Sequence, residues 1–225
     1  MANPRPPLAR VLERTLLRPT LRAAELDDAC RDAAEQGLSA LVVFPAHVAY
    51  VRARIGRSVR LCAAVGYPFG VDGAASLRAS SEHALTAGAD ELEVVASIPL
   101  LVHDDIVSLR DELRLVIAAC PAGAVRVVIE ACYLSPGQLA LAGKTAASAG
   151  SELVVCATGF GTQGATHESV AVLRRALPEE VLVKAQGGVR TLADVERLRE
   201  AGAARVGVAD AGAIIRESEE KVGAA

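Results

Sequence analysis

Ala87-Gly88-Ala89-Asp90-Glu91-Leu92-Glu93-Val94-Val95 holds the pattern that decides the fold: a helix end closed by glycine, a short turn, then a β-rich run. The pattern returns at Glu35-Gln36-Gly37 before Ala40-Leu41-Val42-Val43, and at Ala149-Gly150 before Leu153-Val154-Val155. Ala201-Gly202 before Arg205-Val206-Gly207-Val208 is a further copy. Glycine fits there because the position past a helix end favours a left-handed backbone, which costs glycine little. Between these copies lie the apolar runs Leu61 to Val65, Val125 to Ile129 and Val181 to Val183, continuous as strands covered on both faces are.

The intervening stretches carry helix signals. Thr191 precedes a stripe of Leu192, Val195 and Leu198, with Asp194 placed to complete a cap. Thr20 likewise precedes Leu26, Ala29 and Ala33, Gly37 closes that helix, and a last helix is expected over Ala211 to Arg216. Seven strands spaced 21 to 33 residues apart, alternating with helices, read as parallel βα units, and an eighth short strand fits near Val11 to Leu16. A doubly wound open sheet is the competitor, but no GxGxxG follows the first strand. The expectation is therefore an α/β chain forming one (β/α)8 TIM barrel over residues 1–225, with a flexible N-terminus at 1–8 and a tail at 217–225.

Composition narrows the partners. The chain has 225 residues, 52% of them hydrophobic, which is enough for a real core and argues against disorder. A net charge of −3, six aromatic residues and no basic block argue against nucleic acid. No apolar run approaches the roughly 20 residues of a membrane helix, and Met1 to Pro7, with three prolines, does not read as a signal peptide. Five cysteines without CxxC spacing read as reduced thiols of a cytoplasmic protein. His47, His83, His103 and His167 are scattered without HxH or HExxH spacing, so neither a metal nor a cofactor is expected.

In such a barrel, chemistry belongs to the C-terminal ends of the strands. Of only three lysines, Lys184 alone sits at the end of an apolar run, while Lys144 and Lys221 fall in helical or terminal stretches. A lysine in a barrel interior loses hydration, which lowers its pKa, unless it pairs with an inward carboxylate such as Glu93 or Glu130. Glycine-rich loops follow the last three strands. Amides at Gly159, Gly187, Gly188 and Gly207 are placed to converge on an anion or a substrate oxygen. Cys132 and Cys156 lie at strand ends, where buried cysteine usually acts as a small apolar residue.

Several segments together carry a resemblance: Glu13-Arg14-Thr15-Leu16-Leu17-Arg18-Pro19, Val65-Gly66-Tyr67-Pro68-Phe69-Gly70 and Gly88-Ala89-Asp90-Glu91-Leu92-Glu93. To these add Ile129-Glu130-Ala131-Cys132-Tyr133-Leu134, Thr158-Gly159-Phe160-Gly161-Thr162 and Lys184-Ala185-Gln186-Gly187-Gly188-Val189-Arg190-Thr191. Over nearly its whole length the chain resembles deoxyribose-phosphate aldolase, a Schiff-base-forming TIM barrel. The resemblance implies that the imine-forming lysine falls at Val155, which cannot form an imine. It also implies that Lys184 is the family's second lysine, and that Glu93 stands for its acid–base aspartate. Ala209 and Asp210 stand where the family shows two phosphate-binding serines, Phe44 where it often shows asparagine before Pro45, and Ser97 where asparagine is usual. Glu13 and Arg14 replace an aspartate and a histidine.

Lys184 and Glu93 are thus the candidate catalytic pair. Glu13, Thr15, Ser97, Glu130, Thr158, Gly159, Gly187, Gly188, Gly207 and Asp210 are the candidate substrate-binding set. Asp210 also suits a helix N-cap, and a carboxylate about 4 Å from a phosphate charge costs roughly 4 kcal/mol at a dielectric near 20. Three functions are open. One is acid–base and electrostatic catalysis on a small, non-phosphorylated carbonyl compound without a Schiff base, in cyclisation, isomerisation, dehydration or aldol chemistry. Another is a class I aldolase with its imine moved to Lys184. The last is a pseudoenzyme binding a metabolite or a partner. A homodimer is expected from the abundance of twofold assemblies.

Overall fold

The computed structural model describes residues 7–223. Eight parallel strands, β1 (Leu12–Leu16), β2 (Ala40–Val43), β3 (Arg60–Val65), β4 (Glu91–Val95), β5 (Val125–Val128), β6 (Leu153–Val155), β7 (Leu182–Gln186) and β8 (Arg205–Val208), close into a barrel in sequence order. Around it run α1 (Ala23–Gln36), α2 (Val48–Ile55), α3 (Gly73–Thr86), α4 (Ile98–Val102), α5 (Ile106–Ile117), α6 (Pro136–Ser148), α7 (His167–Ala176), α8 (Leu192–Glu200) and α9 (Ala211–Gly223). The architecture is a TIM barrel, closed by parallel pairing of β1 with β8 through Leu12–Val206 and Arg14–Val208.

The β period of two divides each strand between layers. Leu12, Leu41, Leu61, Leu92, Val94, Val127, Val154, Val183 and Val206 join the main core between sheet and helices. Two smaller clusters fill the barrel: Leu17, Val42, Cys62 and Ala64 on one side, and Val95, Val128, Leu153 and Val155 on the other. Tyr67 packs on both.

Local signals behave unevenly. Gly37 ends α1 at φ 64°, and Thr191 and Asp194 form the cap of α8, with the Asp194 amide donating to the Thr191 hydroxyl at 3.1 Å. Thr20 caps nothing: α1 starts at Ala23, and the Glu25 carboxylate accepts the Arg22 amide at 2.9 Å instead. β7 runs on to Gln186, two residues past Lys184. At the C-terminal end, the stretch expected as a tail is mostly helix, since α9 continues to Gly223. At the other end, residues 1–6 of the expected flexible segment lie outside the described residues, and Leu8 opens a 3-10 turn through Arg10.

Candidate active site

An apolar interior is the usual filling of such a barrel. Here one level is ionic. Lys184 on β7 is completely buried; its Nζ donates to Glu13 Oε2 on β1 at 2.6 Å and to Glu93 Oε1 on β4. Arg126 on β5 forks across both Glu13 oxygens, at 2.8 and 2.9 Å, and pairs with Glu91. Arg205 reaches Glu13 at 3.3 Å, and Arg60 reaches Glu91 at 2.6 Å, from the rim. Burial opposes every charge in this layer, so the outcome turns on pairing. For Lys184 burial alone lowers the pKa, but Glu13 and Glu93 outweigh it and hold the ammonium above the ordinary lysine value. For Glu13 burial raises the pKa, yet Lys184 and Arg126 prevail and bring it to about 2.

Toward the strand C-termini, Glu93 turns its other oxygen, Oε2, to the Tyr67 hydroxyl, which donates to it at 2.7 Å. Gln186 Nε2 donates to that same hydroxyl at 2.8 Å. Burial, and then the Glu93 charge, push the Tyr67 phenol well above its usual pKa, so it stays protonated. Phe160 meets the Tyr67 ring edge-on at 6.4 Å. Above lies a cavity of about 390 Å³, lined in part by Thr15, Thr158, Phe160, Gln186 and Gly207. Arg18 and Arg190 also reach it. The glycine loops after β6 and β7 bring Gly159, Gly187 and Gly188 to the same cavity. They meet backbone on backbone, since a Cβ on Gly187 would lie 2.9 Å from Gly159 Cα. Any side chain there would force the loops apart.

No protein-family model matches the chain. Deoxyribose-phosphate aldolase from Rhodospirillum rubrum is 38% identical over 213 residues, covering 94% of this chain and 90% of that one. The same-named protein from Methanocella arvoryzae is 33% identical over 211 residues, covering 92% and 94%. The chain belongs to the deoxyribose-phosphate aldolase family. Solved aldolase structures agree. One described as QR15, an aldolase, superposes with a TM-score of 0.91 at 25% identity over 96% of this chain and 98% of its own. The deoxyribose phosphate aldolase of Aeropyrum pernix, described as a unique tetramer, has a TM-score of 0.84 at 26% identity, covering 95% and 92%.

Within this aldolase-family barrel the expected residues separate by depth. Thr15, Thr158, Gly159, Gly187, Gly188 and Gly207 share the cavity. Glu93 and Lys184 do touch, but both are fully buried beneath it. Glu13, expected to bind substrate, instead lies in the ionic level as a partner of Lys184 and Arg126. Glu130 does not hold Lys184: its carboxylate accepts the Thr158 amide at 3.0 Å and the Thr158 hydroxyl. Ser97 is buried at the start of α4 and does not line this cavity. Asp210 is exposed and accepts the Ala213 amide at 3.0 Å, so it caps α9. Cys156 packs between sheet and helices, where burial pushes its thiol up to about 12.

Four participants escaped the sequence reading: Tyr67, Glu91, Arg126 and Gln186. The signal for Arg126 was the one that exposed Lys184, a charge inside an apolar run, Val125-Arg126-Val127-Val128. Tyr67 stands two residues past the end of β3, a strand-end position from which its hydroxyl reaches Glu93.

Proposed function

We propose that this family member acts on a small, non-phosphorylated carbonyl compound by acid–base catalysis through an enolate, without an imine. One observation carries the reading: the Lys184 nitrogen is fully buried, held by two carboxylates, and its ammonium form is favoured. A protonated, enclosed amine is no nucleophile. Val155, its register neighbour on β6, faces the barrel interior without any functional group.

In this reading Lys184 and Glu93 act through Tyr67. Lys184 fixes one Glu93 oxygen and leaves the other on the phenol. As Tyr67 Oη takes a proton from the carbon beside the substrate carbonyl, its own proton passes to Glu93, so no free phenolate forms. The glycines that line the cavity, Gly159, Gly187, Gly188 and Gly207, are the candidates for amides that meet the developing oxyanion. Ala209, on the cavity wall where the resemblance implies a phosphate-binding serine, supports a non-phosphorylated substrate. Arg190 at the cavity supports the other reading, an anionic or phosphorylated one. The reduced thiols fit a cytoplasmic enzyme. The homodimer rests on the frequency of twofold assemblies alone.

Borohydride trapping with acetaldehyde and with 2-deoxyribose 5-phosphate tests this reading. Intact mass and peptide mapping are expected to show no stoichiometric adduct on Lys184, and such an adduct would overturn the reading. In heavy water, the wild type is expected to exchange the α-protons of small aldehydes and ketones. Tyr67→Phe is expected to slow that exchange by about 10²–10⁴-fold, the usual contribution of a positioned acid–base group. Unchanged exchange in the variant would remove Tyr67 from the relay.

A further inference from the structure

α5 buries one face of its helix, Leu109, Leu113 and Val116, in the core. The opposite face, at helical spacing, presents Val107, Asp111, Arg114 and Ala118, all four exposed. An outer helix face is ordinarily polar, yet Val107 is 61% exposed and Leu115, at the edge of this stripe, 60%. Leu115, Ala118 and Ala119, with Arg78 of α3, wall a surface groove of about 560 Å³ that Asp111 and Arg114 also line. A groove floored by apolar side chains gains by leaving water.

The charges beside it are only partly used. Arg110 gives both Nε and Nη2 to one oxygen of Asp111, Oδ1, at 3.2 and 3.0 Å, and Oδ2 has no partner among the described residues. Arg114 has no side-chain hydrogen bond or ion pair among the described residues. These two groups are set symmetrically. Asp111 and Arg114 flank the midpoint between Glu112 and Leu113 at equal spacing, and so do Val107 and Ala118. A second α5 laid antiparallel across this one, about a twofold axis at that midpoint, therefore sets each Asp111 against Arg114 of the second copy. It also brings each Val107 to the level of Ala118, where the groove lies. A parallel arrangement would set like charges together.

We propose that the exposed face of α5 is a self-complementary interface through which two copies of this chain pair antiparallel, Val107 of each seated in the groove of the other beside Leu115 and Ala118. That twofold assemblies are common says nothing of where two copies meet; this face supplies the place, independently of the chemistry in the barrel. α5 has 12 residues, a length of about 18 Å. With its α3 flank it makes a contact at the small end of the stable range, so the dimer is expected to dissociate at micromolar concentrations.

Sedimentation velocity on the full chain, from about 1 to 500 µM, tests the proposal, and the wild type is expected to pass from monomer to dimer across that range. Val107→Glu and Arg114→Asp are each expected to weaken dimerisation by at least about tenfold, because the twofold repeats every loss. Asp111→Arg combined with Arg114→Asp exchanges the two charges and is expected to return to within about threefold of the wild type. All these positions are exposed, and melting curves verify that each variant folds. A monomer at every concentration overturns the proposal and leaves the groove to a different partner. A dimer indifferent to Val107→Glu and Arg114→Asp puts the twofold contact on another face and overturns it equally. Failure of the exchanged pair to restore a dimer lost in Arg114→Asp overturns the antiparallel register.

Discussion

Lys184→Met is expected to destabilise the fold by about 3–5 kcal/mol, the range for removing one partner of a buried ion pair. Methionine matches the length of the side chain but leaves Glu93 with only Arg126, at 3.8 Å, and Glu13 with only its arginines. At this chain length, the loss corresponds to a melting temperature lower by about 10 °C. Urea unfolding at neutral pH measures it directly. Adding Glu93→Gln to the same chain is expected to recover part of the loss, because the amide no longer demands a counter-charge. Equal stability of wild type and Lys184→Met would mean that the carboxylates are not held as described.

The same substitution has a pH signature. The folded-state pKa of Glu13, about 2, lies below the ordinary value of 4.5. Its ionised form therefore stabilises the fold fully above about 4.5, and that contribution is lost as pH falls toward 2. Lys184 is shifted the other way, so its contribution is complete below its ordinary value of 10.5 and disappears as pH rises through the folded-state pKa above it. In Lys184→Met both dependences are expected to flatten. Wild type and variant should converge in stability as either extreme is approached.

Val155→Lys is expected to form a stoichiometric borohydride-trapped adduct with acetaldehyde at position 155, where the wild type is expected to form none. Val155 is fully buried among Val95, Val128, Leu153 and Tyr67, and pairs in register with Lys184. An amine placed there would lose hydration and lie beside an existing ammonium, and both effects lower its pKa toward the free base. The free amine attacks the carbonyl carbon, water leaves, and hydride from the borohydride fixes the imine as a secondary amine. Peptide mapping locates the adduct, and a melting curve confirms that the variant folds. A folded variant without an adduct would show that position 155 does not reach the substrate.

The barrel was legible because its βα units announce themselves locally, through apolar runs and, in four of them, a glycine after the helix. What failed were readings that need a second element. Thr20 resembled a cap, but the chain enters α1 through Arg22 and Glu25, a choice between adjacent residues that periodicity does not settle. Lys184 stood out as an interior charge, yet its partners depended on the stagger of the strands, which sets the residues that share a level. Glu130 and Glu13 both sit on or beside strands. Only the closed geometry puts Glu13 against Lys184 and sends Glu130 past β5 to Thr158. Gln186 and Tyr67 are ordinary polar residues in sequence, and their significance comes from the hydrogen bond between them, Gln186 Nε2 donating to the Tyr67 hydroxyl.

The ionic level also has a consequence for the order in which the chain can assemble. Glu13 finds its partners 113, 171 and 192 residues downstream, at Arg126, Lys184 and Arg205. During synthesis it leaves the ribosome long before any of them, and an unpaired carboxylate resists leaving water. The first strand is thus kept from burying its inner face against early, incomplete sheets. Dehydration of the barrel interior is disfavoured in any sheet that still lacks β5 and β7, which carry the nearest partners of Glu13. A charge that weakens every partial barrel in this way acts as a timing device for the complete one.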